Sequence, residues 1–196
     1  MRYQLELIKL KGVLSMKTKK MIIVSLCTAL MFVFSQLSVP LPFTAVPITM
    51  QVFGVILIST LIDYKLSFTT MIIYILLGSI GIPVFSNFTG GFFVVIGPTG
   101  GYIIGFLAMS IIIGLANKSN NKAIIFISAY LALIADYILG VGQLKLVTGA
   151  SLGTALASGL YPFILKDVII TAVAVILAQK IKSMIPKTLL CVSYHK

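Results

Sequence analysis

The chain has 196 residues, of which 59% are hydrophobic and only 10% are charged. A soluble domain normally carries about 25% charged residues, so this composition excludes a soluble globule and implies a bilayer as the solvent. The net charge of +11 does not indicate a nucleic-acid binder, because the basic residues lie at the ends of hydrophobic runs and not along an aromatic-lined groove. Six spans of roughly 20 residues would leave no room for a soluble catalytic domain.

The apolar runs predict an all-α membrane protein with six transmembrane helices in a single domain. The first run is longer than the apolar core of a signal peptide, so we expect it to be retained. Pro, Gly, Asn and Lys separate the runs, as is typical of loops between helices. The predicted spans are Met21–Val39, Ile48–Ile62, Leu66–Ile80, Gly100–Ala116, Ala123–Leu144 and Phe163–Ile185.

Short segments are predicted to flank this domain at both ends of the chain. Residues 1–20 form a basic segment, residues 21–185 the six-helix domain, and residues 186–196 a tail. Met16 opens a lysine-rich stretch that is typical of the start of a membrane protein. We therefore expect residues 1–15 to precede the true start or to be dispensable.

Lysine and arginine residues are distributed unevenly between the two sides of this predicted topology, and such residues are enriched on the cytoplasmic side of membrane proteins. The side that includes the N-terminus has Arg2, Lys9, Lys11, Lys17, Lys19, Lys20, Lys65, Lys118, Lys122, Lys180, Lys182, Lys187 and Lys196. The opposite side has only Lys145 and Lys166. The asymmetry predicts cytoplasmic N- and C-termini, an even number of spans, and a place in the cytoplasmic membrane.

Hydrogen-bonding side chains collect toward the outer ends of the predicted spans. Asp136 and Gln143 lie two helical turns apart with Gly140 between them, so they share one helix face. An ionisable group at membrane depth costs at least about 2.5 kcal/mol, and it normally faces a cavity or a partner. Asp136 is therefore a candidate ligand-binding residue. The alternative is a structural hydrogen bond from Asp136 to Tyr137 or Tyr130.

Lys166 and Asp167 open the last span, where the alternative interpretation is a pair of solvated end residues that snorkel to the interface. Pockets for small solutes are mostly apolar with a few placed polar groups, and these outer side chains supply such groups. The predicted substrate-binding residues are Gln51, Asn87, Tyr102, Asp136, Gln143, Lys166 and Asp167.

The segment from Gly81 to Gly101 is predicted to fold as a lid over an outer cavity. Its apolar middle, Phe92–Ile96, gains nothing from exposure in a plain extracellular loop, which is the alternative interpretation. Glycines allow sharp turns and close approach of the backbone to a ligand. The predicted lid residues are Gly90, Gly91, Gly97, Pro98, Gly100 and Gly101.

Several chemical signatures are absent from the sequence. It has no G-x-x-x-x-G-K-[ST] phosphate loop, so the chain does not use ATP in that way. Cys27 and Cys191 form neither a disulfide framework nor a metal site, and the single histidine, His195, lies in the tail. We therefore expect no enzyme activity, no cofactor and no metal.

Four short motifs occur in a fixed order along the predicted spans. They are Val46–Gln51, Gly81–Phe85, Gly97–Tyr102 after a Gly-Gly pair, and Tyr161–Phe163 ahead of Asp167. Over roughly residues 25–182, the chain resembles the biotin-specific substrate-capture (S) component of energy-coupling factor transporters. The resemblance implies six helices, an outer-facing biotin cavity closed by loops, and partnership with a membrane coupling protein and two ATPase subunits.

The resemblance also implies roles for individual residues. Gln51 would hydrogen-bond the ligand, and Asp167 would accept hydrogen bonds from the ureido N–H groups of biotin. The family often has a lysine three residues after this aspartate, where this sequence has Ile170. The departure leaves open another vitamin or a biotin precursor as the ligand. It also leaves Lys166 or Lys145 as the cation for the ligand carboxylate.

The same resemblance implies a docking site for the coupling protein. Ser25 and Ala29 match the small residues of the first helix that allow close helix approach, although Ser25 replaces the usual alanine. A stand-alone carrier would extend polar residues into the inner half of the spans, where few occur. A membrane enzyme would need a nucleophile, a base or metal ligands. The sequence thus favours a solute-capture subunit over both alternatives.

Overall fold

The fold is helical throughout, apart from one short hairpin. The computed structural model describes residues 2–119 and 121–185, so the predicted tail with Cys191 and His195 lies outside the described residues. The elements of the described residues are α1 (Arg2–Gln36), β1 (Ser38–Val39), β2 (Ile48–Thr49), α2 (Gln51–Leu61), α3 (Tyr64–Ser79), α4 (Phe92–Ile96), α5 (Gly100–Ala116), α6 (Lys122–Thr148), α7 (Leu152–Gly159) and α8 (Tyr161–Met184). Single 3-10 turns occur at Ser86–Phe88 and Asn117–Ser119.

Within the described residues, four helices are long and apolar enough to cross a membrane. They are the Met16–Gln36 part of α1, α5 with its 3-10 extension, α6 and α8. The helices α2 and α3 are apolar but shorter, with 11 and 16 residues. All of the first ten residues of α2 are buried, because α2 packs against α1, α3, α5 and α8. Its apolar character on every side therefore reflects its position inside the bundle.

The first predicted span extends too far at its outer end. The helix α1 begins at Arg2, within a stretch rich in the good helix formers Leu and Lys, and its part long and apolar enough to cross a membrane is Met16–Gln36. It ends at Gln36, because the chain is extended ahead of Pro40, and Ser38–Val39 pairs antiparallel with Ile48–Thr49. A residue that precedes proline is biased toward extended conformations, which applies to Val39. The second span likewise begins at Gln51 instead of Ile48.

Two further helices lie in segments predicted to be loops. The helix α7 begins after Ser151, whose hydroxyl oxygen accepts a hydrogen bond of 3.2 Å from the Thr154 backbone N–H. The helix α4 is the apolar middle of the predicted lid, and Gly91 precedes it with a φ of 108°. The other predicted spans differ from α3, α5, α6 and α8 by at most a few residues at each end.

The helices α5 and α6 approach each other closely through glycines. A Cβ atom at Gly101 would overlap the backbone carbonyl oxygen of Leu139, and one at Gly105 would overlap the Asp136 carboxyl group. Small residues allow such close approach of helix backbones in membranes. The position of Asp136 is thus fixed by backbone contact between α5 and α6.

Polar contacts tie the helices together at the end of the bundle where α2 and α5 finish. The buried Asn117 donates to the Thr60 carbonyl oxygen at 2.8 Å and accepts from Lys182 Nζ at 2.9 Å. The Lys118 ammonium group lies 4.3 Å from the centroid of the Tyr64 ring, within reach of a cation–π interaction. We call this end of the bundle the lysine end.

Replacing Gly101 with Ala is expected to destabilise the bundle, because the new methyl group meets the Leu139 carbonyl oxygen. Overpacking of this kind costs about 1–3 kcal/mol. The matched control is Gly142→Ala on α6, where a Cβ atom meets nothing within 4 Å. The free energy of unfolding by denaturant in mixed micelles is the measurement. Equal values for the two variants would contradict the close packing of α5 and α6.

Candidate ligand-binding site

A cavity lies at the end of the bundle where α2, α5 and α8 begin, opposite the lysine end. We call this end the cavity end. Val46, Pro47, Val52 and Phe163 belong to its apolar wall. Its polar lining consists of Thr49, Gln51, Ser86, Thr99, Tyr102, Asp136, Tyr137, Lys166 and Asp167. The free volume of about 50 Å³ holds roughly three to five water molecules.

Gln51 is fixed by a chain of hydrogen bonds. Its Nε2 donates to the Tyr74 hydroxyl at 2.8 Å, and that hydroxyl donates to the Val84 carbonyl oxygen at 2.9 Å. The Gln51 Oε1 accepts from Thr49 Oγ1 at 3.1 Å. An amide has two N–H donors and two acceptor lone pairs, so one of each remains for a ligand.

Asp167 is held from two sides, although it is only 3% exposed. Its Oδ2 accepts from the Tyr137 hydroxyl at 2.5 Å, and its Oδ1 lies 2.7 Å from Lys166 Nζ. The second contact is an ion pair. Lys166 Nζ also donates to the Thr49 carbonyl oxygen at 2.7 Å. Lys166 therefore links α8 to the hairpin that precedes α2.

Asp136 lines the cavity with an acceptor that the protein does not use. It is 1% exposed, and among the described residues its Oδ1 has no hydrogen-bond partner. The alternative partners proposed from the sequence are engaged elsewhere, since Tyr137 donates to the neighbouring carboxylate and Tyr130 to the Val168 carbonyl oxygen. A buried polar atom without a partner costs free energy, so Asp136 offers an acceptor to a ligand donor.

Tyr102 contributes its ring and not its hydroxyl to the cavity. The hydroxyl donates to the Gly159 carbonyl oxygen at 2.7 Å, which joins α5 to the end of α7. The ring packs against Gly140, where a Cβ atom would overlap it. It also meets the Tyr137 ring edge-on, with centroids 6.5 Å apart. Tyr102 and Tyr137 therefore form an aromatic corner of the cavity.

Asn87 and Lys145 do not line the cavity. Asn87 lies in a 3-10 turn with a φ of 57°, a left-handed conformation that asparagine adopts more readily than most residues. Its exposed side chain accepts from Ser38 Oγ at 2.8 Å, so it stabilises the turn against the hairpin. Lys145 is exposed near the end of α6.

Gln143 also lies outside the lining, although it shares a face of α6 with Asp136 as predicted. That face is covered by α5 and the segment before it. Gln143 Nε2 donates to the carbonyl oxygens of Val95 and Gly97, both at 2.8 Å. It therefore holds the end of the predicted lid segment to α6.

The predicted lid segment reaches the cavity only at Ser86 and Thr99. Its apolar middle does not line the cavity. The side chains of Phe92 and Phe93 are 60% and 84% exposed, respectively. Gly100, predicted to belong to the lid, lies in the first turn of α5, where a Cβ atom would overlap the Val95 carbonyl oxygen.

Two tyrosines of the site were not predicted from the sequence. Tyr137 was considered only as a partner for Asp136, although it lines the cavity and holds Asp167. Tyr74 was not considered, yet it is fully buried and positions Gln51. A usable signal exists for both, because a tyrosine in an apolar span needs a partner for its hydroxyl.

The fold and the cavity define the class as a helical bundle with membrane-spanning-length apolar helices and a polar-lined cavity at one end. The particular kind follows from comparison with known proteins. The model of the BioY family matches residues 8–187, and the chain belongs to this family.

Individual relatives agree with this assignment. The chain is 38% identical over 167 residues to the probable biotin transporter BioY of Pyrococcus horikoshii, covering 85% of this chain and 98% of the relative. It is 36% identical over 167 residues to the biotin transporter BioY of Thermotoga maritima, covering 85% and 97%. The crystal structure of the S component for biotin from an ECF-type ABC transporter superposes with a TM-score of 0.81 at 26% identity, covering 89% and 96%. The resemblance drawn from the motifs is therefore confirmed.

Replacing Tyr137 with Phe is expected to lower the free energy of unfolding in the absence of ligand. The variant removes a hydrogen bond to the buried Asp167 carboxylate, and bonds to charged groups contribute about 1.5–3 kcal/mol. The control is Tyr130→Phe on the same helix, which removes a 3.2 Å bond to a neutral carbonyl. Denaturant unfolding in micelles measures both losses. A loss for Tyr137→Phe no greater than that for Tyr130→Phe would remove its assigned role.

Proposed function

We infer that the chain captures biotin in the cavity and delivers it across the cytoplasmic membrane as the S component of an ATP-driven ECF transporter, and that it is not an enzyme. The observation that carries this inference is membership of the BioY family together with a cavity lined by two carboxyl groups, one lysine and an aromatic corner. The relatives are named as biotin transporters, and the similar crystal structure is an S component for biotin.

The chemistry of biotin fits the side chains of the cavity. Its ureido ring offers two N–H donors, its thioether ring is apolar, and its tail ends in a carboxylate. Asp136 and Asp167 provide buried acceptors, and Phe163 and the aromatic corner provide apolar walls. Lys166 is the one lysine of the lining among the described residues. Each part of the ligand thus has a complementary group.

Biotin binding requires the cavity to expand, since its present volume accommodates only a few waters. In this proposal the Lys166 side chain moves when biotin binds. Its ammonium group contacts Thr49 and Asp167 in this structure, and it contacts the ligand carboxylate in the complex. Asp167 uses two of roughly four acceptor positions on its carboxylate, so it can accept from the ureido ring without losing Tyr137. The predicted lid segment opens and closes the entrance in this proposal.

Position 170 bears on the alternative ligands. Ile170 packs against the hydrophobic core and is not part of the lining, whereas Lys166, one turn earlier on α8, is. Lys166 therefore takes over the cationic role that the family often gives to a lysine three residues after the aspartate. Lys145 is exposed away from the lining and is the weaker candidate.

The lysine end is the cytoplasmic side in this proposal. It gathers Lys65, Lys118, Lys122 and Lys182, and basic residues are enriched on the cytoplasmic side. The helices α2 and α3 complete six spans with the four longer helices, because the bundle shelters them and they need not match the full bilayer thickness. Both termini then lie in the cytoplasm, and the cavity opens outward.

In our proposal the energy for transport comes from partner subunits, because the similar crystal structure is an S component from an ECF-type ABC transporter. Ser25 and Ala29 are exposed on α1, one turn apart, in a stripe that includes Ile22 and Val33. In our proposal this stripe docks against a membrane coupling protein that carries two ATPase subunits. Small residues permit the close helix contact that such docking needs.

Purified protein is expected to bind labelled biotin without ATP, and more tightly than dethiobiotin or lipoate. Equilibrium binding in detergent measures the three affinities. Tighter binding of dethiobiotin or lipoate would identify that compound, and not biotin, as the ligand. No binding of any of them would remove the proposed function.

Replacing Lys166 with Ala is expected to weaken biotin binding at least tenfold. A hydrogen bond to a charged group contributes about 1.5–3 kcal/mol, and 1.4 kcal/mol is a factor of ten. Because Lys166 also pairs with Asp167, biotin methyl ester, which lacks the charge, separates the two effects. The wild type should prefer biotin over the ester, and the variant should not. The control is Lys145→Ala; a preference retained by Lys166→Ala would exclude the contact.

Replacing Ala29 with Leu is expected to abolish biotin uptake into cells while leaving biotin binding unchanged. The larger side chain would hold the partner helix away from α1. The control is Ala157→Leu, at an exposed alanine on α7. Uptake of labelled biotin with the ATPase module co-expressed is the measurement. Normal uptake by Ala29→Leu would place the docking surface elsewhere.

A further inference from the structure

A second concavity opens on the side of the bundle between α6, α7 and α8, with a volume of about 510 Å³. It is lined almost entirely by apolar side chains. Among them are Tyr130, Ile138 and Gly142 of α6, Leu156 of α7, and Ile164 and Val168 of α8. We call it the lateral groove. Its size is that of a pocket for a small organic molecule, so it is more than an ordinary flat helix surface.

The lateral groove is apolar, and the hydroxyl groups of its two tyrosines already donate hydrogen bonds within the protein. The Tyr130 hydroxyl donates to the Val168 carbonyl oxygen, and the Tyr137 hydroxyl donates to Asp167. The remaining lining is aliphatic side chains and one glycine. An occupant must therefore be apolar along the length of the groove.

With α6 and α8 as membrane spans, the groove faces the surrounding lipid. Two of its walls, α6 and α8, are helices long and apolar enough to cross a membrane, with mean hydropathies of 2.2 and 2.0. The stretch from Tyr130 to Gly142 measures about 18 Å along the helix axis. One leaflet of the hydrocarbon core is roughly 15 Å thick, being half of about 30 Å. The groove thus has the length of one lipid leaflet.

A lysine side chain, that of Lys145, lies beyond the groove at the cavity end. Lys145 follows Gly142 by three residues, so it lies on the same side of α6, one turn farther along. It is exposed, and its long side chain can reach the membrane interface. A molecule with a hydrocarbon chain below and an anionic group above matches this arrangement.

We propose that the lateral groove binds one acyl chain of a membrane phospholipid, with the lipid phosphate facing Lys145. The chain fills the space beside Tyr137, which lines both the groove and the ligand cavity. A bound lipid therefore supports the ring that holds Asp167. The proposal goes beyond biotin capture, because the groove is separate from the cavity and faces the bilayer.

The test uses the purified full chain titrated with palmitoyl-oleoyl-phosphatidylglycerol and observed by native mass spectrometry. Gly142→Leu places a side chain in the groove, and a Cβ atom there meets nothing within 4 Å. Affinity for the first lipid is expected to fall at least tenfold, with a smaller loss for Gly142→Ala. The matched control is Gly153→Leu on α7, an exposed position where the nearest atom to a Cβ is Ser151 Oγ at 3.9 Å.

The role of Lys145 has its own comparison. Lys145→Ala is expected to weaken phosphatidylglycerol binding about threefold or more and to leave binding of the uncharged dioleoylglycerol unchanged. Equal first-lipid affinities for wild type, Gly142→Leu and Gly142→Ala would overturn the proposal. So would a dimer of the wild type that binds no lipid and disappears in Gly142→Leu, since a second copy would then cover the groove. Circular dichroism of the variants in micelles verifies that they are folded.

Discussion

The cavity end of this protein depends on a buried carboxylate that the fold must neutralise. Asp167 sits at 3% exposure in an apolar bundle, and the Tyr137 hydroxyl and the Lys166 ammonium group approach it from different directions. Removing one partner of a buried charge typically costs about 3–5 kcal/mol, so the three residues form one unit. Lys166 extends this unit to Thr49, and through it to Gln51 and the hairpin. Three separate segments of the chain are thereby aligned around one space.

Close packing of α5 and α6 provides the rigid wall against which this unit is built. Glycines on α5 admit the backbone of α6, so Asp136 is placed beside the cavity by contacts that leave it little freedom. Gln143, farther along the same face, anchors the segment ahead of α5. These contacts hold this wall of the cavity in place from both ends of the face.

Sequence patterns were sufficient for the broad architecture and for part of the site. The long apolar spans were located well because a helix of about 20 apolar residues is a strong signal, as α5 and α6 illustrate. The extended chain at Val39 and the helix after Ser151 were missed, because each is shorter than the windows in which periodicity can be recognised. Of the predicted binding residues, Gln51, Tyr102, Asp136, Lys166 and Asp167 line the cavity. Asn87 and Gln143 do not, because the sequence showed their depth and polarity but not which neighbouring segment would take their hydrogen bonds.

The pairing of Lys166 with Asp167 has a consequence for the electrostatics of the bundle. The charge of the Lys166 ammonium group is matched by Asp167, and its direction is fixed by the Thr49 carbonyl oxygen. Two opposite charges this close together form a dipole, whose field falls off faster with distance than the field of a single ion. The pair therefore adds little to the potential on the far side of the bundle, although Coulomb interactions are strong in a low-dielectric interior.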